Sequence, residues 1–330
     1  MVAVVTGANG HVGVNLAKAL IEGGRTVVAV DVREPAELVS LGASWVAADV
    51  RDRGEMRSAL EGAEVVFHLA AVISVVGSMA GLVESVNVGG VRTVAVAALD
   101  AGVPRFVHCS SVHAYDLAAC RGTVVTEASP RSTHPSLPAY DRSKAAGEVA
   151  LRRVIDDGLD ALILNPSGVI GPQDDAPSRM GSVLLAAARG RLPATVSGSF
   201  DWVDVRDVVA ALLAAEHAGD AGENYLVGGA SATTAQLATL AARAVGRRPP
   251  IIDLSMAFAR IWTPIATVVA RRSLNPLLYT EESLHALRCE PIVSHARAAA
   301  ELSHHPRPLE ETVGDLVRSF VDRGLVQPAG

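Results

Sequence analysis

Tyr140 and Lys144 stand four residues apart in Tyr140-Asp141-Arg142-Ser143-Lys144, a spacing that puts a phenol and an ammonium on one face of a helix. A free tyrosine titrates near ~10 and exchanges protons poorly at neutral pH, but a fixed cation beside it stabilises the phenolate. The pair therefore suits proton transfer to or from an alcohol or carbonyl oxygen. Ser111, closing Cys109-Ser110-Ser111, offers a hydroxyl for the same oxygen. A second local pattern is Thr6-Gly7-Ala8-Asn9-Gly10-His11-Val12-Gly13. Gly7 permits a tight turn, Gly10 lets backbone amides approach a pyrophosphate, and Gly13 allows close helix–strand contact. Asp31 follows Gly13 by 18 residues, where a carboxylate accepts from ribose hydroxyls and repels a 2′-phosphate. That favours NAD, with NADP the second choice because Arg33 lies two residues on.

These groups need a scaffold that brings strand ends together. Short β-branched runs at 2–6, 26–31, 45–49, 65–70, 105–110 and 161–165 read as buried parallel strands, since such strands lose the in/out alternation. Helical spacing of Ala, Leu and Val occupies 12–22, 53–60, 83–101 and 140–156. The alternation predicts an α/β fold, a doubly wound parallel (Rossmann) sheet with a smaller, mostly helical C-terminal substrate domain. Residues 1–170 form the dinucleotide-binding part, with 202–228 returning to it; 171–201 and 229–330 form the substrate part. Helices are expected at 180–190 and 203–217 and a strand at 223–227.

The glycine pattern with Asp31, then Ala48-Asp49-Val50-Arg51-Asp52 and His68-Leu69-Ala70-Ala71, resembles the extended short-chain dehydrogenase/reductase family, also called the NAD-dependent epimerase/dehydratase superfamily. The resemblance extends through Trp202–Val208 and Gly222–Gly229. It implies that Ser111, Tyr140 and Lys144 are catalytic: Ser111 polarises the carbonyl or alcohol, Tyr140 moves the proton, and Lys144 tunes Tyr140 and holds the nicotinamide ribose. It further implies cofactor contacts at Gly7, Asn9, Gly10, His11, Val12, Gly13, Asp31, Asp49, Val50, Leu69, Ala70, Ala71, Asn87, Tyr140, Lys144, Pro166, Gly168 and Val169. Asp49 also reads as a helix N-cap, and Asn87 as a polar helix residue with local hydrogen bonds. Paired long helices, 83–101 and 140–156, imply a homodimer.

Two departures argue against a nucleotide-sugar substrate. Phe200 stands where such epimerases carry an arginine, and Val112-His113 where sugar dehydratases carry Asp-Glu. Asn165-Pro166-Ser167-Gly168-Val169-Ile170-Gly171-Pro172 is similar to the dihydroflavonol-reductase and 3β-hydroxysteroid-dehydrogenase-like branch. The resemblance thus implies an NAD(P)-dependent oxidoreductase interconverting a ketone or aldehyde and an alcohol on a small or lipophilic substrate. A sugar or nucleotide-sugar epimerase and a non-enzymatic dinucleotide sensor are the alternatives. Phe200, Met180, Leu184, Phe258, Trp262 and Leu278 line an apolar pocket or belong to the core. His113 is a substrate contact or a structural histidine.

The composition fits this reading. The chain has 330 residues, 49% hydrophobic and 19% charged, with 29 basic residues against 35 acidic and a net charge of −6. No basic stripe for nucleic acid is visible. Lys18 and Lys144 are the only lysines. Three unevenly spaced cysteines, Cys109, Cys120 and Cys289, lack zinc-site spacing, so no metal is expected and a reduced, cytoplasmic compartment fits. The apolar run 261–270 is too short to cross a bilayer, and no integral membrane segment is expected.

Overall fold

Apolar runs that bury both faces alternate with amphipathic stretches, and the chain folds accordingly into a parallel sheet covered by helices on both sides. The computed structural model describes residues 2–174, 177–192, 194–250, 252–256 and 280–328. Phe258, Trp262, Leu278 and the run 261–270 lie outside the described residues. The elements begin β1 (Val2–Thr6), α1 (His11–Glu22), β2 (Thr26–Asp31), α2 (Ala36–Ser40), β3 (Ser44–Ala47), α3 (Arg53–Ala59), β4 (Val65–His68), α4 (Leu82–Glu84), α5 (Val91–Asp100) and β5 (Arg105–Cys109). There follow β6 (Val124–Val125), α6 (Ala139–Asp156), β7 (Ala161–Pro166), β8 (Gly168–Ile170), α7 (Arg179–Ala188), β9 (Ala194–Val196), β10 (Ser199–Asp204), α8 (Val205–Ala215), β11 (Asn224–Val227), β12 (Ala230–Thr233) and α9 (Thr234–Ala244). The chain then runs through β13 (Ile252–Leu254), α10 (Glu281–Cys289), β14 (Ile292–Val293), α11 (Ala296–Leu302) and α12 (Leu309–Asp322).

Seven strands form the main sheet in the order β11-β7-β5-β4-β1-β2-β3, all pairs parallel. The winding reverses beside β1, which pairs with β2 on one side and β4 on the other. Ligands bind at such a switch point, beyond the carboxyl ends of the strands. Val5, Phe67, Val107 and Leu164 pack toward α1 and α8, while Val4, Val66, Phe106 and Ile163 pack toward α5 and α6. All eight are essentially inaccessible to solvent, each contributing about 1.5–3 kcal/mol of hydrophobic stabilisation.

Three expectations change. The helix expected at 83–101 is α4 and α5 joined by a π-helical segment, Ser85–Gly90, whose wider turn differs from regular α-helical hydrogen bonding. The whole helix, Leu82–Asp100, is long and apolar enough to cross a membrane, with mean hydropathy 1.4 and 44% of its apolar window buried. Here it is the crossover from β4 to β5 and packs on α3 and α6. The helix expected at 203–217 starts instead at Val205, because 199–204 is strand β10 between β8 and β12. Asp204 ends that strand and caps α8, its carboxylate accepting from the Arg206 N–H at 2.8 Å. The C-terminal part is therefore mixed, with β9 pairing β13 and β6 pairing β14 alongside its helices.

Candidate active site

The glycine loop is a backbone cradle. Gly7 has φ +68°, and a Cβ there would lie 2.7 Å from the Ala70 backbone. A Cβ on Gly13 would lie 2.3 Å from the Gly7 carbonyl oxygen, so the first turn of α1 rests directly on the loop. Gly10 opens α1 without a side-chain cap, leaving the first amides of the helix for an anion. Asn9 and Arg33 donate backbone N–H groups to the two Asp31 carboxylate oxygens, each at 3.1 Å. That holds Asp31 at the rim of the cradle. His11 is turned away, its Nε2 3.0 Å from the Pro172 carbonyl oxygen, and Val12 packs on the core.

Other members of the expected cofactor set are structurally engaged. The Asp49 carboxylate is gripped by Arg51, with Nη2 at 2.6 Å, and that hydrogen bonding holds its pKa below the usual carboxylate value. The cap of α3 is Asp52, which accepts from Glu55 N–H at 3.0 Å. Val50 packs against Gly90. Leu69, Ala70 and Ala71 run past the glycine loop, with Leu69 N–H donating to the Thr6 carbonyl at 3.2 Å. Asn87 is a clamp: its amide bonds both backbone groups of Val72, at 2.8 and 3.0 Å, and donates to Ser143 Oγ at 2.9 Å. Ser143 in turn donates to the Tyr140 carbonyl at 2.7 Å. Pro166 ends β7, and Gly168 and Val169 open β8 beside β10, where a Cβ on Gly168 would meet the Trp202 ring at 2.6 Å.

Ser111, Tyr140 and Lys144 come together beyond the end of β5. Ser111 is the extended residue capping the short 3₁₀ turn Val112–Ala114, accepting from His113 N–H at 3.2 Å. Tyr140 opens α6, and one turn later Lys144 is buried with Nζ 5.9 Å from the centre of the Tyr140 ring. The ammonium donates to the Cys109 carbonyl at 3.4 Å. Burial pushes the Tyr140 pKa well above its ordinary value, opposed by the Ser111 hydrogen bond and reinforced by Asp141 and Cys109. Burial likewise lowers that of Lys144. Desolvation, not the expected lowering by Lys144, sets the direction of the phenol's shift in this geometry.

The register of α6 is pinned one turn further on. Glu148 is 1% exposed and accepts from Ser110 Oγ at 2.6 Å, Asn165 Nδ2 at 2.7 Å and Asn224 Nδ2 at 2.9 Å, with Arg131 as its ion-pair partner. A buried carboxylate so fully satisfied ties the helix to β7, β11 and the end of β5. The sequence reasoning missed Glu148; its place one turn beyond Lys144 was the available signal. It also missed Asp141, a buried carboxylate with Oδ1 3.1 Å from His113 Nδ1. His113 lies edge-on to Tyr140 and stacks on Phe200, with ring centres 5.6 Å apart in both cases. Phe200 is in turn edge-on to Trp202 at 5.5 Å. Leu184 is core, while Met180 is only partly buried.

The family model for the NAD dependent epimerase/dehydratase family matches residues 3–228. The chain belongs to that family. Sterol demethylase protein B of Methylococcus capsulatus is 33% identical over 336 residues, covering 99% of this chain and 100% of that protein. A putative dihydroflavonol 4-reductase of Synechocystis sp. is 28% identical over 98% of this chain and 95% of its own length. Among solved structures, gox2253 superposes with TM-score 0.84 at 30% identity, over 99% of both chains. The family match spans the glycine loop, Asp31, Ser111, Tyr140 and Lys144, and the parallel sheet is the Rossmann arrangement of this NAD-dependent family.

Proposed function

We propose that the protein is an NAD-linked oxidoreductase that interconverts a secondary alcohol and a ketone on a lipophilic, sterol-like substrate. The observation that carries this is the convergence of Ser111, Tyr140 and Lys144 beyond β5, beside the Phe200–Trp202 wall. The end-to-end similarity to a sterol demethylase protein supports the substrate class. The backbone cradle around Gly7 and Gly13, with Asp31 at its rim, fits a dinucleotide without a 2′-phosphate. Bound NAD supplies the hydride acceptor or donor. Tyr140 takes the proton from the substrate hydroxyl in oxidation and returns it in reduction. Ser111 holds the same oxygen and orients it, and Lys144 would favour the phenolate and hold the nicotinamide ribose of the bound cofactor. The Phe200 and Trp202 rings exclude water from the reacting carbon. A panel of ketones and alcohols, including steroid and flavonoid types, assayed by absorbance with NAD(H) and NADP(H), tests the reading. Turnover of a steroid alcohol with NAD is expected; a strict NADPH requirement contradicts the cofactor assignment.

A further inference from the structure

We propose that His113 reads the substrate beside its reacting carbon, its Nε2 accepting a hydrogen bond from a hydroxyl on the neighbouring carbon. This rests on the oxidoreductase reading above and adds a selectivity to it.

The imidazole is held on three sides. One face stacks on Phe200 at an interplanar angle of 18°, one edge meets Tyr140, and Nδ1 lies 3.1 Å from Asp141 Oδ1. Nδ1 makes no hydrogen bond, so the contact with Asp141 is a close electrostatic approach. A carboxylate can only accept, and it draws the imidazole proton to Nδ1, leaving a lone pair on Nε2. Nε2 has no hydrogen-bond partner among the described residues, and the side chain is 22% exposed. The backbone of the same residue donates to Ser111 Oγ at 3.2 Å. The ring bearing this open acceptor therefore lies beside Tyr140, on the residue whose backbone holds the Ser111 hydroxyl.

The surroundings select for a donor rather than an anion. Asp141 is buried beside the ring, and Glu282 on α10 has its pKa raised mainly by burial, with a smaller push from the Asp141 charge. A substrate carboxylate would face both acids. A neutral hydroxyl meets the lone pair of Nε2 without that repulsion, and a site built to bond a hydroxyl discriminates strongly against the analogue lacking it.

The test compares a 3β-hydroxysteroid with the same steroid bearing a hydroxyl on the adjacent ring carbon, both with NAD at fixed pH. The wild type should favour the vicinal diol in kcat/KM by about tenfold or more. His113→Phe keeps a ring to stack on Phe200 and should bring the ratio within about twofold of unity, the change falling mainly on KM, while His113→Gln restores part of it. Should His113→Phe fail to fold, Asp141→Asn, which releases the tautomer, should also collapse the ratio. A wild-type ratio near unity, or one unmoved by the variants, overturns the assignment. Absence of any NADH signal across the whole alcohol panel would instead overturn the oxidoreductase reading itself.

Discussion

Lys144 reaches past the Tyr140 ring, its ammonium 5.9 Å from the ring centre and hydrogen-bonded to the Cys109 carbonyl. The cation lies over the phenol ring, and burial dominates the proton affinity of both groups, raising that of Tyr140 and lowering that of Lys144.

A protonated Tyr140 is ready to reduce a ketone and must lose its proton to oxidise an alcohol. Because burial raises its pKa, kcat/KM for alcohol oxidation should climb between pH 6 and 9 while ketone reduction does not. Lys144→Met removes the cation, so the rise should move to higher pH and oxidation at pH 8 should fall by about 100-fold. Steady-state pH profiles in both directions check this.

Asp31 presents both carboxylate oxygens at the rim of the glycine loop through bonds from Asn9 and Arg33. Asp31→Asn removes the charge that repels a 2′-phosphate and leaves Arg33 to attract one. The ratio of NAD to NADP affinity, measured by calorimetry, should fall by about tenfold or more.

His68 and His108 are buried neighbours in register on β4 and β5, their rings 5.4 Å apart. Burial, with a smaller push from Lys144, lowers His68 to about 3, and burial also drives His108 well below its usual value. A histidine depressed in the folded state is protonated first in the unfolded chain. Its stabilising contribution is therefore complete above about pH 6.5 and is lost as pH falls toward 3, at about 1.4 kcal/mol per pH unit for each ring. Urea unfolding between pH 7.5 and 5 should show this slope, and His68→Gln should make it shallower.

A groove of about 780 Å³ runs along α4 and α6, lined by Val83, Val88, Ala146 and Val149 with Arg142 and Arg153 at its rim. Val149 is 51% exposed. If the two helices pair between copies of the chain, as proposed from the family resemblance, sedimentation should give a dimer at micromolar concentration. Val149→Glu should shift it to monomer by placing a charge in the apolar contact.

The Tyr140–Lys144 pair, the glycine loop and strands β1 to β5 and β7 were legible because each depends on spacing within one short segment. Strand β8 was not: it has three residues, and its partner β10 lies about thirty residues downstream. Strand β10 also carries Asp201 and Asp204, the latter falling at the start of the helix expected at 203–217. Asp201 is buried because it accepts from Gly229 N–H at 2.8 Å, and Asp204 because Arg206 pairs with it. The meeting of His113 with Asp141, and of Glu148 with Asn165 and Asn224, joins segments 17 to 76 residues apart. Only the fold brings these together.

Net hydride exchange with Tyr140 moving the proton is read out by the stoichiometry of NADH to oxidised substrate. Purified protein incubated with NAD and a 3β-hydroxysteroid should form one NADH per ketone, and Tyr140→Phe should cut the rate by about 1,000-fold or more while retaining NAD affinity. Substrate conversion without net NADH, or undiminished turnover in Tyr140→Phe, would rule out hydride exchange through Tyr140.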